Sequence, residues 1–162
     1  MGRPKIKISS SNLVRIFDIL SIASISFIII LSINSYIKAP DIVPTHFDIN
    51  GNPNNWGNKI TLFIIPGISV LLYIILTIAS HYPHIFNYPV KITEGNAERQ
   101  YLLAIELLSL LKLSVLILFI FISLKIYCKN IEINTIIPVP VLFAILVLII
   151  TIRYFFRARK IK

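Results

Sequence analysis

The sequence predicts an all-α integral membrane protein, with four transmembrane helices and an ordered extracytoplasmic loop between the first and second. Two observations carry this. Apolar residues make up 56% of 162 positions and charged residues only 14%, outside the usual soluble range. The apolar residues also fall into four runs, each close to or above the ~20 residues that cross a bilayer as a helix. The helices are expected over about 13–37, 60–80, 94–127 and 136–156, with a polar cap over 38–59, and residues 1–162 read as a single membrane domain. Little chain remains for separate catalytic machinery.

The first run follows a short basic segment bearing Arg3, Lys5 and Lys7. Asn34 to Lys38 lack the small-x-small pattern of a cleavage site, so the run is expected to remain as an anchor. Arg15 and Asp18 lie three apart, on one helical face, and are expected to pair near the headgroups. Ser21, Ser24 and Ser32 mark helix packing. In the second run Pro66-Gly67 predicts a kink whose freed carbonyl faces protein rather than lipid.

Residues 81–100 form a second polar connection. Tyr82, Phe86 and Tyr88 suit the headgroup region, and Thr93, followed by Glu94 and Asn96, reads as a helix start. A helix from 94 to 127 exceeds one membrane thickness, so its first turns are expected to project as an amphipathic stem, with Arg99 and Glu106 on one face. Lys112 lies deeper and is expected to snorkel to the interface, burial against Glu106 or Asp18 being the alternative. Pro138 and Pro140 stand at the start of the fourth helix, where proline is tolerated. The one cysteine, Cys128, excludes an internal disulfide and is given no role.

Charge orients the four spans. Arg3, Lys5, Lys7, Arg15, Lys91, Arg99 and the tail residues Arg153, Arg157, Arg159, Lys160 and Lys162 fall on the side of the termini, eleven basic residues against four (Lys38, Lys59, Lys125, Lys129) on the other. Basic residues are retained on the cytoplasmic side. Both termini are therefore expected in the cytoplasm of a multi-pass protein of the bacterial inner membrane. The net charge of +9 is explained by this orientation rather than by a nucleic-acid partner.

The cap between the first two helices is dense in turn formers. Pro40 and Pro44 bar helix, Asn50-Gly51 is a turn signal, Pro53 follows, and Trp56-Gly57-Asn58-Lys59 leads into the second helix. With Thr45 to Ile49 extended, His46 and Asp48 project to one face and Phe47 to the other. Phe47, Ile49 and Trp56 would then lie on the bundle. His46, Asp48, Asn50, Asn55, Trp56 and Lys59 become the candidate ligand-binding residues, and Pro40, Asp41, Pro44, Phe47, Gly51, Pro53 and Gly57 the structural ones. The competing reading is a self-satisfied loop, with asparagine side chains bonded to local backbone.

Other chemistries fit poorly. Asp48, Asn50 and Asn52 have the spacing that opens a calcium loop, but the late bidentate Glu is missing. His81 and His84 are interrupted by Pro83 and lack acidic or cysteine support. A His46-Asp48 dyad has only Thr45 nearby as a nucleophile. No catalytic residue, metal or other cofactor is expected.

The pattern Pro40-Asp41-x-Val43-Pro44-x-His46-Phe47, then Gly51-x-Pro53, then Trp56-Gly57-x-Lys59, resembles the N-terminal domain of unknown function of the bacterial SdpI-like family. The stretches Asn87 to Val90 and Asn96 to Tyr101 resemble its short, four-span members. The resemblance implies a membrane protein, and for the family's named member a role in immunity against a secreted toxin and as a signal receptor. The leading expectation is thus a non-enzymatic protein whose outward loop recognises an extracellular peptide or envelope component for sensing or immunity, in contact with the lipid bilayer and with a membrane or cytoplasmic partner protein. The alternative is a small transporter subunit or membrane enzyme, in which Asp18, Glu106 and Lys112 converge inside the bundle.

Overall fold

The computed structural model describes residues 3–9, 11–48, 52–127 and 139–161. Four helices are long and apolar enough to cross a membrane, as a multi-pass membrane protein requires. Helix α1 covers Asn12–Lys38. The Ser11 side chain caps its start by accepting from the Val14 N–H. At its far end the Ala39 N–H closes on Ser35 O at 2.8 Å, and Pro40 follows, so the helix stops there.

The cap departs from the all-α expectation. Strands β1 (Ile42–Phe47) and β2 (Pro53–Asn58) pair antiparallel, because the prolines and asparagines that exclude helix leave an extended ladder as the way to satisfy the backbone. The Asn50-Gly51 turn signal lies outside the described residues, as do Cys128 and Pro138.

Beyond β2 the chain winds as a 3-10 helix over Lys59–Phe63 and then as α2, Ile64–Ser80. Asn58 starts this span, its side-chain oxygen accepting from the Ile60 N–H at 2.9 Å. Pro66 therefore stands in the first turn of α2, where an N–H has no partner within the α-helix. The kink is expected at Pro66-Gly67 in the first third of the span, and the chain changes winding from 3-10 to α just before it, at Phe63 and Ile64. Pro66 is buried, so its ring faces protein.

Helix α3, Ala97–Tyr127, begins three residues later than expected. Thr93 and Asn96 organise its start together: the buried Asn96 side chain accepts from the Thr93 N–H at 2.9 Å and donates to Lys91 O at 3.0 Å, and Thr93 O accepts the Ala97 N–H at 2.9 Å. Its 31 residues extend about 46 Å, against about 30 Å of hydrocarbon. Helix α4, Val139–Lys160, runs past the expected end at Phe156. The buried Gln100 amide donates to Ala158 O at 2.7 Å and to Ile161 O at 2.8 Å, satisfying carbonyls that a helix end leaves orphaned. Arg157, Arg159 and Lys160 suit the negative end of the helix dipole.

The helix α3 is the hub on which α1, α2 and α4 pack. At one end of the bundle the Arg3 guanidinium donates to His84 O and Phe86 O, and Tyr101 Oη donates to Pro4 O at 3.0 Å. With the Gln100 bonds, these contacts gather both terminal segments and the 83–101 stretch at that end, while the hairpin occupies the other.

Candidate functional site

The hairpin is built around one buried side chain and one close approach. Val43 is 4% exposed and stands opposite Gly57 in the register. A Cβ on Gly57 would come 2.9 Å from Thr45 Cγ2, so glycine is required there by space. Pairing shifts on either side of His46, the mark of a bulge that ends simple alternation of faces. This corrects the expected lid contacts. Val43 is the buried residue, Phe47 is half-buried, and Trp56 is 49% exposed.

The polar candidates are tied locally. His46 Nδ1 bonds the Asn54 side-chain oxygen. Asp48 closes the loop end twice, its N–H donating to Asn52 O at 2.9 Å and its carboxylate accepting the Asn52 N–H at 2.7 Å. Asn55 Oδ1 accepts from the Trp56 N–H at 2.8 Å. Asn50 and Gly51 lie outside the described residues. At the open end of the hairpin Lys59 bonds Asp41 through both backbone, at 2.9 Å, and side chain, at 3.1 Å. The Lys59 ammonium also stands 5.1 Å from the Tyr36 ring, which packs on Phe63. Asp41 is largely exposed, so the ion pair contributes little more than ~1 kcal/mol, and its effect is to set the hairpin against the end of α1.

Between the hairpin and the bundle lies a groove of about 190 Å³. Pro40, Ile42, Val43, Pro44, Trp56 and Leu62 give it apolar walls, and Lys38 is the one charged residue among its described lining. Of the candidate ligand-binding residues expected from the sequence, Trp56 lines this concave face. The apolar residues flanking His46 were the available signal, and the bulge hid which way they turn.

A second polar cluster lies within the bundle. The Lys112 side chain is 3% exposed. Its ammonium donates to Asp18 Oδ1 at 2.7 Å and to Thr77 Oγ1 at 3.1 Å, and it stands 4.5 Å from the Tyr73 ring. The snorkelling expectation is corrected, since a neighbour on α1 satisfies the charge in place. Lys112 is about 22 Å along α3 and Asp18 about 9 Å along α1, so the first turns of α3 run past the end of α1. Glu106 is half-buried and, among the described residues, makes no ion pair or hydrogen bond. Two of the three intramembrane candidates thus meet.

At the end holding the termini, Tyr88 donates to Pro83 O at 2.8 Å and stacks on Tyr101, with the Arg3 guanidinium over its ring. Burial pushes its phenol well above the ordinary value, aided by Tyr154 and Tyr101 and opposed by Arg3. Among the described residues no cluster of three His, Cys, Asp or Glu could hold a metal ion.

Residues 23–70 match the family described as a domain of unknown function, DUF1648. The match takes in most of α1, the whole hairpin and the start of α2. An uncharacterized protein of Archaeoglobus fulgidus is 31% identical over 78 residues, which cover 43% of this chain and 43% of the relative. The chain therefore spans less than half of that relative's length. No solved structure matches.

Proposed function

We propose that this is a non-enzymatic, SdpI-like protein of the bacterial inner membrane, with both termini cytoplasmic, whose outward hairpin recognises an extracellular peptide for sensing or immunity. The observation that carries the reading is the groove under the hairpin: concave, apolar, bordered by an exposed tryptophan and a lysine. Tryptophan beside an apolar centre is a usual anchor of recognition. The polar tip serves a different purpose, because His46, Asp48 and Asn55 each commit a side-chain atom to holding the hairpin.

The test is a pair of substitutions in a cell whose deletion strain loses toxin protection or reporter output. Ile42→Glu, at an exposed position lining the groove, is expected to abolish that phenotype at normal membrane abundance, and His46→Ala to keep it. If Ile42→Glu retains full activity, the groove is not the recognition surface.

The Lys112–Asp18 pair favours a second reading, a small transporter subunit. Charge pairs inside membrane bundles mark such pathways as well as structural ties. That reading needs the charges themselves, so activity surviving in the double variant Asp18→Leu/Lys112→Met would end it.

A further inference from the structure

The groove shares three lining residues with a second, smaller cavity. Ser35, Leu62 and Ile126 also line a cavity of about 10 Å³ between α1, α3 and the start of the second span, completed by Leu31, Ser32, Ile65 and Ser123. That volume admits one water-sized polar group. Ser123 is 7% exposed, and its hydroxyl has no hydrogen-bond partner among the described residues. Ser21, Ser24, Ser35, Ser69 and Ser114 instead donate to the carbonyl one helical turn back. A buried hydroxyl left unbonded is costly, so Ser123 favours any guest that bonds it. Lys38, which lines the groove, is exposed and, among the described residues, makes no ion pair, whereas Lys59 is held by Asp41.

We propose that groove and cavity together form a site for the C-terminal residue of an apolar peptide, one ending in a hydroxyl-tipped side chain such as tyrosine. Its carboxylate pairs with the Lys38 ammonium. Its ring lies along Ile42, Val43 and Pro44 beside Trp56, and its hydroxyl reaches Ser123. The chemistry of the lining carries the argument: an exposed cation, apolar walls, and an unbonded hydroxyl in the adjoining cavity. A residue in mid-chain brings no charge to Lys38, and an acyl chain brings nothing to bond Ser123. The groove is smaller than the ~300–1,000 Å³ of ordinary small-molecule pockets, so it suits one side chain rather than a longer segment. Capture of a terminal carboxylate is a known mode of peptide recognition. The inference rests on the reading of the groove as the recognition surface.

Trp56 is the protein's one tryptophan, so its fluorescence reports occupancy directly. The full chain in lipid nanodiscs is titrated with acetyl-Leu-Leu-Tyr as the free acid, the same peptide as its C-terminal amide, acetyl-Leu-Leu-Phe as the free acid, and dodecanoate. The tyrosine acid is expected to give a saturable shift, with at least tenfold weaker binding for the amide and for the acid on Lys38→Gln. Ser123→Ala is expected to lower affinity for the tyrosine acid to that of the phenylalanine acid, whose own binding stays unchanged and shows that the variant is folded. Saturable binding with acid and amide equal overturns the carboxylate inference and leaves the groove reading standing. Dodecanoate binding as tightly as the tyrosine acid overturns the choice of a peptide. No saturable response from any probe overturns both.

Discussion

Lys112 on α3 and Asp18 on α1 form a 2.7 Å ion pair, with the lysine side chain almost wholly removed from solvent. The two partners are unequally placed, since the Asp18 side chain keeps about a third of its exposure, 36%. Removing either one leaves the other charge uncompensated, and the penalty should follow burial. Asp18→Leu is expected to cost about 3–5 kcal/mol, and Lys112→Met less, because the stranded carboxylate can still reach polar surroundings. The double variant should recover much of the loss. Unfolding in detergent measures all three, and equal, small losses from both single variants would mean that the lysine escapes to the interface.

Gly57 and Thr45 make a matched pair in the hairpin. Gly57→Ala pushes a methyl group against Thr45 Cγ2 and is expected to destabilise the cap by about 1–3 kcal/mol. Thr45→Ala removes the opposing atoms and leaves the Thr45 Cβ position, 4.0 Å away, in ordinary contact. The double variant should therefore regain the folded yield that Gly57→Ala loses. Absence of rescue would place the strain elsewhere.

The basic residues at the end of the termini predict orientation. In a Cys128→Ser background, a cysteine at the exposed Asn54 is expected to label with an impermeant reagent in intact cells. One at the exposed Glu94 is expected to label only after permeabilisation. The reverse pattern would invert the proposed topology.

Tyr88 predicts an alkaline limit to stability. Its phenol is raised by burial, so the folded state binds its proton more tightly than the unfolded chain, whose tyrosines titrate near ~10. The sign follows from linkage. Stability from this group is whole below about pH 10 and falls as pH rises above it. Tyr88→Phe should lower stability at neutral pH by about 0.5–1.5 kcal/mol through the lost bond to Pro83 O, while making the alkaline decline shallower. A decline of unchanged steepness would assign the titration to other groups.

The sequence by itself determined the class and the layout. Apolar runs of membrane length and a proline-rich break after Lys38 follow from chain-local physics: hydrocarbon demands helices, and proline ends them. The local rules also located the cap as a segment unable to be helical. What they left open was the direction in which side chains turn. Alternation along β1 placed His46 and Asp48 outward as ligand groups, but bonds across the turn, His46 to Asn54 and Asp48 to Asn52, decide their use. Lys112 looked like an interfacial lysine because its partner is 94 residues away. Gln100 gave no periodic signal, yet its amide closes the end of α4 by bonding Ala158 O and Ile161 O. Each of these depends on which helices become neighbours, and neighbours are chosen by packing of the whole bundle, a property that no window of sequence contains.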